Sequence, residues 1–89
     1  IGYAVEKSDL INCSVEYAPG LYYQIQVDDK DVAEIRGPRM LWRGFASYSS
    51  NPMHDKWYVH FGQDYIEITK DHSGISVKFY GQNVERVCK

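Results

Sequence analysis

Three sets of residues in this 89-residue chain have side chains that could do chemistry: His54, His60 and His72; Cys13 and Cys88; and Arg36, Arg39 and Arg43. Histidine titrates near neutral pH and serves as acid, base or metal ligand. His60 stands in "KWYVHF", on the same side of an alternating run as Tyr58, where it could meet Glu67 or Lys78 across neighbouring strands. His72 falls in a turn and His54 in a loop after Pro52 and Met53, positions where a solvated role is ordinary. Neither cysteine has a histidine at the spacing of a four-ligand zinc site. A phosphate-binding Gly-rich loop and a nucleophile elbow are both missing, and the serines at 47, 49 and 50 lie in a polar stretch without a motif. The reading is therefore a non-enzymatic chain with no catalytic residue, no metal and no cofactor.

The arginines suggest recognition instead. They surround "MLWRGFASY", and no acid occurs from Gly37 to His54. As a strand, this stretch places Met40, Trp42, Gly44, Ala46 and Tyr48 on one face and Leu41, Arg43, Phe45 and Ser47 on the other. Both faces carry large apolar groups, so alternation alone does not select the inside. If only one face is covered, Trp42 or Phe45 is an exposed anchor with arginines beside it, a composition common at binding hot spots. The competing reading makes the aromatics core and the arginines a solvated rim. The expected partner-binding set is Arg36, Arg39, Trp42, Arg43 and Tyr48. Acids at 28, 29, 31 and 34 precede the arginines, which suits either an internally paired hairpin or a dipolar surface that orients a partner. RNA is a lesser candidate, because the formal charge is −2. A strand edge in "LYYQIQV" or "VERVC" could also accept a partner strand.

The elements that position these residues are strands. "YYQIQVD", "KWYVHF", "YIEIT" and "ISVKF" alternate with period two and are rich in β-branched and aromatic residues. Turn residues separate them at 28–31, 62–64 and 71–74. Residues 56–80 read as a three-stranded meander, with further strands upstream and a short one at the end; no segment shows a helical stripe. The expected fold is one mainly β domain over residues 1–89, an antiparallel sandwich or partly open barrel of about six strands. The loop from Ser49 to Asp55 is the stretch that an inhibitor of a secreted enzyme would insert into its target.

Composition agrees with a small globular domain, 44% hydrophobic and 25% charged with eight tyrosines. No apolar run reaches the ~20 residues that span a bilayer. The chain lacks an initiator Met and a signal peptide and reads as a processed, monomeric product without membrane contact. Cys13 and Cys88 are either two buried thiols or, preferably, one disulfide joining the ends. In the chain-entropy model such a long loop stabilises by roughly 4.5 kcal/mol. A disulfide implies an oxidising compartment, hence secretion. Asn12-Cys13-Ser14 also fits the glycosylation sequon, which a disulfide at its central residue would compete with.

Two families of small secreted fungal effectors resemble this chain. A cysteine near each end, Pro38 with Gly44-Phe45, and the tail "GQNVERVC" resemble the ribonuclease-like (RALPH) effectors of powdery mildews and the guanyl-specific secreted ribonucleases. That resemblance implies an α+β fold with one helix after the first cysteine and an RNA-binding scaffold. The family's histidine at the end of the last long strand is replaced here by Lys78 or Phe79, so the scaffold would be inactive. "VDDKDVAEIRG" and "WYVHFGQDYIEITKDHSGISVKF" resemble instead the MAX effectors, two three-stranded sheets packed as a sandwich. Either resemblance implies a secreted virulence protein, in some cases acting inside a host cell, whose partner is a host protein such as an immune receptor or its target.

Overall fold

The computed structural model describes residues 11–61, 64–81 and 84–88. Eight strands follow in chain order: β1 (Ile11–Ala18), β2 (Leu21–Val27), β3 (Val32–Gly37), β4 (Met40–Asn51), β5 (His54–Phe61), β6 (Asp64–Asp71), β7 (Gly74–Phe79) and β8 (Val84–Val87). Each is antiparallel to the next, and their order in the sheet is their order in sequence. The sheet curls until β1 and β8 approach one another, giving a nearly closed barrel with no helix among the described residues. The expected count of about six strands is thus corrected to eight among the described residues, and the one-helix alternative to an all-β arrangement of those residues. Turns of two residues, such as Pro19-Gly20, Pro38-Arg39 and Pro52-Met53, leave room for the extra strands.

Alternation decides the inside. Ile25 and Val27 of β2, Ile35 of β3, Val59 of β5 and Ile68 of β6 are fully buried, each flanked in sequence by residues on the outer surface. Trp57, also fully buried, fills the interior against the Tyr48 ring at 5.2 Å. Burying an aliphatic side chain of this size contributes about 1.5–3 kcal/mol, so the inner faces supply the main force closing the sheet.

Cys13, buried on β1, is bonded to Cys88 just after β8, with Cα atoms 5.2 Å apart. The disulfide expected from the sequence therefore closes the seam of the barrel. The Cys88 N–H also donates to the Ile75 carbonyl at 2.9 Å, so the end of the chain is fixed from two directions.

At the seam-staple end of the barrel, three hairpin turns share one device. Asp28, Asn51 and Asp71 each accept, through a side-chain oxygen, the backbone N–H two residues on, at 2.9, 2.7 and 2.8 Å. An Asx side chain bonded in this way pre-forms a turn. At the other end, Gly20 follows Pro19 with φ of 75°, the conformation that the third residue of a type II turn requires.

β4 departs from the simple meander. Its first half pairs with β3, from Gly37↔Met40 to Val32↔Phe45, and its second half pairs with β5, from Ala46↔Val59 to Asn51↔His54. The sheet is therefore two blades sharing one twelve-residue strand, which at about 3.4 Å per residue spans roughly 40 Å.

Candidate binding surface

The parity of β4 places the arginine-rich stretch. Met40, Trp42, Gly44, Ala46 and Tyr48 face inward; Leu41, Arg43, Phe45 and Ser47 face out. Of the five residues expected to form a site, Arg36 and Arg43 lie on the outer face of β3 and β4, and exposed Arg39 sits at the tip of the turn between them. Trp42 and Tyr48 do not join them. The Trp42 indole lies over Gly44 on the inner side, so close that a Cβ there would come within 2.5 Å of the ring. The Tyr48 hydroxyl donates to Asp55 at 2.6 Å, and its ring packs on Trp57.

The large apolar side chains exposed on the outer face of β4 are Phe45, 80% exposed, and Leu41, 60% exposed, with Arg43 between them. Phe45 was one of two candidates in the sequence; Leu41 was missed. Arg43 carried the missing information, because an unpaired charge in mid-strand must face water and takes its even-spaced neighbours with it.

Charge on this face is partly balanced. Arg36 approaches Glu34 at 3.4 Å, a weak exposed pair. Glu34 is in register with Arg43. The Asp28 carboxyl is held below its ordinary range, first by the Val32 and Lys30 N–H groups and to a smaller extent by the charges of Lys30 and Arg43. From Glu34 to Phe45 three arginines stand against one acid. Arg39 also lines a cleft of about 440 Å³ at the barrel end, with Tyr17, Leu21, Tyr23, Pro38 and Met40. Its floor is the Tyr17–Tyr23 stack, centroids 4.0 Å apart.

The histidines fall elsewhere. His60 lies on the outer face of β5, stacked on Tyr65 at 5.0 Å, and Tyr65 stacks on Tyr80 at 4.3 Å. Lys78 stands over the Tyr80 ring at 4.9 Å. Beside this ladder Glu67 is only 7% exposed although it points outward, because Lys56 and Tyr80 cover it. Burial pushes its carboxyl up, but ion pairing with Lys56 and the Tyr80 O–H at 2.5 Å outweigh that and hold it below its ordinary range. The same bonds raise Lys56 and push Tyr80 up to about 12. Glu67 is thus a carboxylate with its oxygens engaged, suited to fixing β5 to β6 and β7 more than to taking a proton. His54 begins β5 and His72 sits in a turn, as expected for the latter. No cluster of metal-ligating side chains occurs among the described residues.

Two further expectations are revised. The segment Ser49–Asp55 is strand, two-residue turn and strand, pinned by Ser50 and Tyr48 hydroxyls on Asp55, and not an irregular loop. "LYYQIQV" is β2, paired along its length with β1 and from Gln24 to Val27 also with β3, so only its first three residues lack a second registered partner; among the described residues β8 pairs on one side only, with β7. The sequon at Asn12 is exposed, while its central Cys13 is in the disulfide. The chain matches no protein-family model, no curated protein and no solved structure.

Proposed function

We propose that this chain is a secreted, monomeric, non-enzymatic binding protein that engages a host protein through the outer face of β3 and β4. The observation that carries this reading is the exposure of Leu41 and Phe45 on one strand face with Arg36, Arg39 and Arg43 around them. Aromatic and arginine side chains dominate binding energetics, whereas an ordinary barrel exterior is polar. The partner surface is accordingly apolar at its centre and acidic at its rim. The disulfide supports an oxidising, extracellular setting, and the resemblance to fungal effectors supports a host receptor or its target as the partner.

A photo-crosslinking residue placed at Phe45, and in a second protein at Ser76 on β7, tests this in host-cell extract. A protein captured from position 45 alone, whose affinity falls tenfold or more in Arg43→Glu, is the expected result. Equal capture from both positions, or unchanged affinity in both Arg43→Glu and Phe45→Asp, overturns the reading.

A second reading, an inactive ribonuclease-like RNA scaffold, draws on the His60–Tyr65–Tyr80 ladder with Lys78 at its end. Aromatic faces beside cations stack single-stranded bases. Titration with a short single-stranded RNA would shift the His60 and Tyr65 resonances; a silent titration eliminates it.

A further inference from the structure

Among the described residues, the divided pairing of β4 leaves a length of edge without a partner strand beside the exposed Leu41 and Phe45. The two-residue turn Pro38-Arg39 makes Gly37 and Met40 a hydrogen-bonded pair, and such pairs recur at every second residue of an antiparallel ladder. Trp42 and Gly44 are therefore the residues bonded to β3. The Ala46 N–H, which donates to the Asp31 carbonyl at 2.8 Å, continues the series. Leu41 and Arg43 consequently aim their N–H and C=O groups the other way, toward the side where β5 would lie. The β4–β5 register stops at Ala46↔Val59, and among the described residues no strand is registered against Leu41 or Arg43 on that side.

We propose that an extended, acidic–apolar segment of the partner adds here as an antiparallel strand, bonding to the main chain of Leu41 and Arg43. This deepens the reading given above and rests on it. Strand addition supplies affinity from the main chain and specificity from alternate side chains. Residues of the added strand that face outward would stand beside Leu41 and Arg43, the latter's neighbour within diagonal reach of Phe45, which asks for an apolar and an acidic group in turn. The charge excess between Glu34 and Phe45, three arginines to one acid, favours the acid at the centre. Inward-facing residues would meet Trp42 where it covers Gly44, so they must be small. The other open lengths suit such a partner less well. The lower half of β4 presents Ser47 and Ser49 outward, and β8 is closed against β1 by the disulfide.

Amide exchange in the unliganded protein is the first test. Leu41 and Arg43 amides should exchange at least about 100-fold faster than those of Trp42 and Gly44. Equal protection of all four overturns the proposal. The second test adds the peptide acetyl-Thr-Val-Thr-Glu-Thr-Val-Thr-amide, whose Val and Glu side chains share one face. The expected result is slowed exchange at Leu41 and Arg43. In an antiparallel ladder the outward residues carry the N–H groups that face β4, so N-methylating Val and Glu should abolish binding. N-methylating the Thr residues should leave it intact. If the Val/Glu-methylated peptide still shifts Phe45 and Arg43 as strongly, the side-chain face is correct and strand addition is wrong. If no peptide protects Leu41 and Arg43, strand addition is likewise overturned, and the crosslinking experiment separately decides the fate of the face.

Discussion

The indole N–H of Trp57 donates to the Asp31 carboxylate at 3.3 Å, joining residues 26 positions apart. Asp31 also accepts the Ala46 N–H through its carbonyl, in a backbone conformation of φ 61°. One turn residue thus holds the largest buried side chain and the point where β4 passes from one blade to the other.

Replacing Asp31 by Ala removes the acceptor and places a residue with no local polar compensation in left-handed backbone. Stability should fall by about 2 kcal/mol. Asp31→Asn keeps an acceptor and tolerates the conformation, and should recover most of the loss. Urea unfolding midpoints decide it; an unchanged midpoint in Asp31→Ala would show that the contact contributes nothing.

Gly44→Ala drives a methyl group into the Trp42 ring. Overpacking of this kind costs about 1–3 kcal/mol. The cost should shrink in a Trp42→Leu background, giving a coupling energy of about 1 kcal/mol in a double-mutant cycle. Additive effects would mean that the indole moves aside freely.

Removing the disulfide, by Cys13→Ser with Cys88→Ser, should lower stability by about 4.5 kcal/mol in the chain-entropy model. Strand β8 has only four residues, so its amides should lose protection first. Hydrogen exchange with and without reductant reads both; uniform loss across all strands would contradict the local unlatching of β8.

The Glu67 cluster predicts pH dependence on two sides. The Glu67 carboxyl is depressed in the folded state, so its contribution is present above its ordinary value of 4.5 and disappears as pH falls through the lower folded value. Tyr80 is raised from 10.0 to about 12, so its contribution is complete below 10 and is lost as pH rises toward 12; raised Lys56 acts in the same direction. Glu67→Gln should flatten both limbs of a stability–pH curve and cost about 1–3 kcal/mol near neutrality. Limbs as steep as in the parent protein would place the dependence on other groups.

Much of this fold can be read from residue types. Alternation locates most of the strands, and two cysteines near the ends of an all-β chain point to a staple across a seam. The faces of β4 are harder, since both carry aromatics. Arg43 resolves them once its charge is taken as the constraint: its parity must face water, so Leu41 and Phe45 are exposed while Trp42 and Tyr48 turn inward. The division of β4 between two partners is not legible, because a period of two reports which way side chains point and not which strand lies alongside. The burial of Glu67 was hidden for a related reason. It belongs to an outward parity, and only Lys56 and Tyr80, brought from β5 and the end of β7, roof it over.

The Cys13–Cys88 bond also changes what a protease can do to this molecule. It turns nearly the whole barrel into a covalent ring, since 75 positions separate the two cysteines and every hairpin turn lies between them. A single cut at any of those tips opens the ring without releasing a fragment, and the two pieces stay registered by their shared strands. A nicked molecule would run as one band without reductant and as two with it. A protease therefore needs at least two cuts within the ring before any part of the barrel can leave.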